Sequence, residues 1–284
     1  MGFRLPLGAL SAWALALPLA AAAAPPVPQR VMSINLCADQ LVLALLPPSR
    51  ITSVTYLSRD PDESLLSSEA WRVSINHGTA EEVVSERPDL VIAGTYTTPA
   101  TRELLAKVGI PLLALPSAND FQEIRDVTRR VGRAVGEEAK AESLIRQMNS
   151  TLAQLAATEP KRRITIVGWD GGGSVPGEGT LFNAIITAAG AINLGASPGV
   201  ASTRFDTEQL LFVHPELLAF GDVTIATPAI RNSVLRQPLV RHLYRDRTIV
   251  YPELLYTCGL PQTADAAVQI RRKMLELLHS VPPS

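Results

Sequence analysis

An excess of charge of either sign is missing from this chain. Its 26 basic and 27 acidic residues leave a net charge of −1 over 284 residues, which argues against a nucleic-acid binder, since those carry a basic excess or a basic face. Histidine is sparse, and His77, His214, His242 and His279 fall at no metal-ligand spacing. A naked metal ion needs several converging His, Cys or carboxylate groups, so no direct metal site is expected. Aromatics make up only 5% of the residues, so those that fall in loops stand out. Cysteine is limited to Cys37 and Cys258. Beyond the N-terminal stretch no run is long and apolar enough to cross a bilayer. Apolar side chains are plentiful, at 46% of the residues, so disorder is not expected, and the length suits two domains.

The first 24 residues set the compartment. "MGFRLPLGALSAWALALPLAAAAAPP" places one positive charge, Arg4, before an apolar run that ends in alanines. That pattern reads as a cleaved secretory signal; an uncleaved anchor is the alternative. No cysteine lies near the cleavage region, so a lipid-modified N-terminus is not expected. In an oxidising compartment the isolated pair Cys37 and Cys258 is a candidate disulfide. Two thiols touching a ligand, or unpaired structural cysteines, are the other readings.

One phrase occurs twice. "TAEEVVSERPDLVIAG" at 79–94 and "DTEQLLFVHPELLAFG" at 206–221 share Glu81/Glu208, Pro88/Pro215, Leu90/Leu217 and Gly94/Gly221. Each opens on a helix-capping residue, Thr79 or Asp206, followed three positions on by Glu82 or Gln209, which is capping-box spacing. A short apolar helix, a proline that ends it and a buried strand follow. The duplication predicts two similar lobes around one cleft.

The rest of the chain fits that scheme. Strands at 30–36 and 50–57 flank a helix near 37–46, and further helices and strands alternate through residue 136, as in a parallel sheet flanked by helices. Residues 137–158 carry Leu144, Ile145, Met148, Leu152 and Leu155 at helical spacing with no Gly or Pro, which predicts one helix of about 30 Å. Strand, loop and helix then repeat, with a helix near 231–243 and a last one from Thr263 to about Leu278. The expected division is a signal peptide at 1–24, an N-terminal α/β lobe at 25–136, a bridging helix at 137–159 and a C-terminal α/β lobe at 160–284.

In the opening "RVMSINL…LVLAL", the paired repeat phrases, the isolated long helix and "GGGSVPGEGTLFNAII", the chain resembles the class III, helical-backbone periplasmic substrate-binding proteins of ABC importers. These serve iron siderophores, vitamin B12 or haem. The resemblance covers essentially the whole mature chain. It implies two α/β lobes bridged by one helix, a ligand held between them, a periplasmic location, and delivery to a membrane permease dimer by a monomeric receptor. An acidic residue of each lobe would dock on permease arginines, and the matching positions are Glu81 and Glu208. Their plain alternative is favourable placement at helix N-termini.

For ligand contact, loops that follow strands should face the cleft. They nominate Asn35, Leu36, Tyr56, Trp71, Tyr96, Trp169, Arg204 and Tyr256, although an aromatic there can equally pack its own lobe. A bridge between Cys37 and Cys258 would tie the lobes together. The expected cargo is a metal already chelated, either a ferric siderophore or a corrinoid such as cobalamin. Haem, free zinc or manganese, and a secreted α/β enzyme are the rival readings. The enzyme reading is weak. "GGGSVPGEG" misses the nucleophile elbow and the dinucleotide fingerprint because Pro176 stands where each needs a glycine, and no nucleophile–base pair is placed.

Overall fold

The side-chain oxygen of Asn35 accepts hydrogen bonds from the amides of Cys37 and Ala38, which starts helix α1 (Leu36–Leu45) two residues after strand β1 (Val31–Ser33). Such strand-to-capped-helix junctions recur through the computed structural model, which describes residues 26–95, 97–169, 174–200, 206–222 and 238–280. The expected signal peptide lies outside the described residues.

The first sheet is parallel and runs in the order β3-β2-β1-β4-β5, with β2 Ile51–Thr55, β3 Ser74–Asn76, β4 Leu90–Gly94 and β5 Leu112–Leu115. The second is parallel in the order β7-β6-β8-β9, with β6 Thr165–Gly168, β7 Ile192–Asn193, β8 Leu217–Gly221 and β9 Thr248–Tyr251. Without β3, the order β2-β1-β4-β5 maps directly onto β7-β6-β8-β9. The duplicated phrase supplies β4 and β8, each next to its lobe's first strand. The fold is therefore the expected pair of α/β lobes.

Local details differ from the sequence reading. The second strand stops at Thr55 because Tyr56–Arg59 winds into a 3-10 turn, and the loop after it contains a short helix α2 (Ser67–Ala70) and the edge strand β3. Helices α3 (Ala80–Glu86), α4 (Pro99–Lys107) and α5 (Phe121–Val135) complete the first lobe. In the second lobe come α7 (Leu181–Ala188), α8 (Thr207–Val213), α9 (Pro238–Tyr244), the short α10 (Leu254–Thr257) and α11 (Thr263–Ser280).

Both capping boxes form. Thr79 and Glu82 close one reciprocally, and Asp206 and Gln209 close the other. Each such cap contributes on the order of 1 kcal/mol by satisfying amides that a helix start leaves open. Val83 and Leu210, at matching positions of the repeat, are both fully buried against one face of their sheets.

Helix α6 (Glu138–Ala157) runs 20 residues without interruption. It packs on α5 at the first lobe and on α7 and α11 at the second. Gly132 lets α5 and α6 approach, since a Cβ there would lie 2.6 Å from that of Ala141. The lobes also interlock. Ile124 of α5 lies in the core of the second lobe, while Cys258 and Leu260 lie in the core of the first.

Candidate functional site

A cavity of about 360 Å³ opens between the lobes. From the first lobe its wall takes the residues that follow β1, β4 and β5, namely Asn35, Thr95 and the Pro116–Asn119 segment; from the second it takes Thr180, Tyr256 and Thr257. These are the carboxyl ends of parallel strands and the helix starts beyond them, where open α/β sheets bind ligands. The volume falls within the range of small-molecule sites.

Several walls are held rigidly. Asn35 is fixed by its two capping bonds and lies against Gly94, where a Cβ would come within 3.0 Å of its amide nitrogen. Thr180 accepts from the amide of Asn183 and donates to the carbonyl of Gly177 at 2.7 Å. The Tyr256 ring meets Tyr251 and Phe182 edge-on, with centroids 5.9 and 6.1 Å away. Such T-shaped contacts are the favoured aromatic arrangement and limit the ring's freedom.

A cystine borders the cavity. Cys37 and Cys258 are joined, with Cα atoms 5.3 Å apart and a sequence separation of 221. Cys37 lines the cavity and Cys258 is buried. Next to the bridge, a Cβ at Gly259 would sit 2.5 Å from the carbonyl oxygen of Ala118, so only glycine permits this cross-lobe approach. Among the three readings of the cysteine pair, the bridge that ties the lobes is the one the structure contains.

None of the described wall residues carries a formal charge. The polar groups offered are amides and hydroxyls, and no group of three His, Cys, Asp or Glu among the described residues could hold a metal ion. The described wall residues can therefore recognise shape, apolar surface and hydrogen-bonding groups.

The nominated residues separate. Asn35 and Tyr256 line the cavity. Leu36 opens α1 and packs against the core of the first lobe rather than forming part of the wall. Tyr56 and Trp71 are exposed and stand outside the walls. Tyr56 stacks on His77 at 5.2 Å, and the Arg59 guanidinium lies 4.5 Å from the centre of the Trp71 ring, a cation–π contact. Tyr96 and Arg204 lie outside the described residues.

Trp169 is a correction. It is 1% exposed and packs with Val167, Val175 and Phe220 instead of facing a ligand. Its amide still pairs with Ala219, so it prolongs β6, whose alternation sends Ile164 and Ile166 to one buried face and Val167 and Trp169 to the other. Shared parity with Val167 is the signal in the sequence that marks it as core. The wall residues missed from sequence, Thr95, Ser117, Asn119, Thr180 and Thr257, also had a signal. Each lies within two residues of a strand end or a helix end.

Glu81 and Glu208 stand exposed on the first turns of α3 and α8, and neither has an ion-pair partner among the described residues. Their neighbours Glu82 and Gln209 fill the capping role. Partial burial pushes the Glu82 carboxyl up, but hydrogen bonds from the His77 ring and backbone and from Thr79 outweigh it and lower Glu82 to about 2.

The periplasmic binding protein family model matches residues 31–244. A cobalamin-binding protein of Halobacterium salinarum is 25% identical over 225 residues, covering 74% of this chain and 60% of that protein. The chain thus spans less than two thirds of that relative's length. An uncharacterized ABC transporter substrate-binding lipoprotein of Bacillus subtilis, YvrC, is 23% identical over 205 residues, covering 69% of this chain and 64% of its own. Among solved structures, the apo periplasmic heme-binding protein RhuT of Roseiflexus sp. RS-1 superposes with a TM-score of 0.72 at 20% identity, covering 88% of this chain and 98% of the other. With the two-lobed architecture and a family match over most of its length, the chain belongs to the periplasmic binding protein family.

Proposed function

We propose that this protein is the exported substrate-binding component of an ABC importer and carries a metal that is already chelated, a corrinoid or a ferric siderophore, to a membrane permease. The observation that carries this reading is the interlobe cavity, walled by strand-end loops of both lobes and carrying no charged side chain among its described residues. A chelate brings its own coordination sphere and needs from the protein only shape, apolar contact and a few dipoles. A free zinc or manganese ion would need several converging ligands, and no such group occurs among the described residues. The names of the cobalamin-binding and heme-binding relatives support cargo of this chemical class. Glu81 and Glu208, one per lobe, exposed and without an ion-pair partner among the described residues, are the proposed docking points on the permease. The export route rests on the N-terminal signal and the family.

Titration of the purified mature protein with cyanocobalamin, a ferric hydroxamate, hemin and zinc tests the reading by intrinsic fluorescence and calorimetry. Saturable binding of a corrinoid or hydroxamate is expected, weakened about tenfold or more by Tyr256→Ala, the loss expected for an aromatic anchor. Binding of zinc alone, or of no chelate at all, would reject it.

A further inference from the structure

Helix α8 presents a large aromatic side chain to solvent. Phe212 is 87% exposed, while the inward face of the same helix is already completed by Leu210, which is fully buried. Phe212 lies four residues after Glu208, and residues at that spacing sit one above the other on a helix. The duplicated phrase supplies an internal control. In the first lobe, Glu81 is followed four residues later by Ser85, which is also exposed. The two acidic points are thus equivalent, but the surfaces around them are not.

We infer that Phe212 is an apolar anchor for the importer's membrane permease, so that the docking face presents an acid with an aromatic on one lobe and an acid with a hydroxyl on the other. The inference rests on the docking role of Glu81 and Glu208. The chemistry of the pair defines its partner, a cationic group with an apolar socket about one helical turn away. Aromatic side chains that fill such sockets are enriched at protein interfaces, and charges beside them govern encounter and register.

Other occupants fit less well. One exposed ring on a seven-residue helix offers far less area than the roughly 1,000 Å² that a specific dimer needs. The adjacent carboxylate of Glu208 is repelled by anionic lipid headgroups. A permease that receives both lobes gathers its area from two patches and needs only one side chain of this kind. The consequence is polarity, since one half of a permease dimer meets an aromatic and the other a serine.

The test uses the full mature protein and its permease complex in lipid nanodiscs, with association followed by surface-based kinetics. Phe212→Ser should weaken association about tenfold, mainly through faster dissociation, with cyanocobalamin binding and thermal unfolding unchanged. Phe212→Leu should restore much of the affinity. A less than twofold change in Phe212→Ser, while Glu81→Lys/Glu208→Lys abolishes association, would overturn the anchor and leave the docking reading standing. Normal association of the double charge reversal would overturn both. If Phe212→Ser instead dissolved a homodimer in sedimentation or released the protein from vesicles, without affecting permease binding, the anchor assignment would also fall.

Discussion

In the first lobe Asp39 is fully buried in the first turn of α1; in the second, Arg271 is 6% exposed on α11. Asp39 accepts from the Thr55 amide at 3.1 Å and from the Thr55 and Ser58 hydroxyls, tying α1 to the turn after β2. Arg271 donates to the carbonyls of Leu155 and Thr158 at the end of α6, and to those of Ala188 and Ala189 at the end of α7. Each charge lies where helix ends favour it, the acid near an N-terminus and the base at two C-termini. They differ in what burial can do to them. Burial lowers the affinity of Arg271 for its proton, yet a guanidinium stays charged throughout the accessible pH range. Asp39 can become neutral, and burial pushes its carboxyl up to about 6 against the nearby hydroxyls of Ser33, Thr55 and Ser58. Two lobes of one design therefore respond differently to acid.

The sharpest way to break the comparison is to unfasten the lobes. The 37–258 bridge closes most of the chain into one loop, and cross-links of that span contribute about 3–5 kcal/mol, chiefly by restricting the unfolded ensemble. Cys37→Ser with Cys258→Ser should lower the denaturant midpoint by that equivalent and split a single transition into two. Native protein purified without reductant should show no alkylatable thiol before reduction. Two reactive thiols in the native state, or an unchanged single transition in the double variant, would remove the staple from the account.

The buried acid gives the next effect. Its folded pKa lies above its unfolded value, so its stabilising contribution is fully present below about 3.8 and is lost as pH rises through about 6. The unfolding free energy of the wild type relative to Asp39→Asn should therefore increase by about 2–3 kcal/mol between pH 7.5 and pH 4. Comparing the two proteins at each pH cancels the opposite trend of groups such as Glu82, whose depressed pKa costs stability only as pH falls toward about 2. A difference that stays flat would mean that Asp39 titrates alike in the folded and unfolded chains.

These contrasts also mark what could be read from the residues. The repeat phrases carry their own grammar, since capping box, proline stop and strand are all local signals, and they placed α3, β4, α8 and β8 and the pairing of lobes. Signals that depend on distant neighbours were not legible. Asp39 occupies an ordinary first-turn position for an acid, and only Thr55 and Ser58, packed from the next strand and turn, make it a buried group. Phe212 looks like a core residue by type, but its neighbour Leu210 already fills that place. Cys37 and Cys258 could be counted in the sequence, but their pairing depends on how closely the lobes meet at Gly259 and Ala118.

The smallest prediction tests how deep the equivalence of the lobes runs. Helices α3 and α8 end on Arg87 and His214, both at φ 46° and ψ 58°, the left-handed region. Each precedes a proline, Pro88 or Pro215, which disfavours a helical conformation in the residue before it, so the chain leaves the helix through a conformation that glycine adopts at little cost. Both side chains are exposed, and their loss should matter little. Arg87→Gly and His214→Gly should each stabilise the protein by about 0.5–1 kcal/mol, once the relief of left-handed strain is set against glycine's greater freedom in the unfolded chain. Chemical denaturation of the single variants and the pair measures this, and distant sites should add. Equal gains would show that the two helix ends are energetic as well as geometric copies. A gain in one lobe and a loss in the other would show that the matching angles hide different strain, and the equivalence would then hold for backbone shape alone.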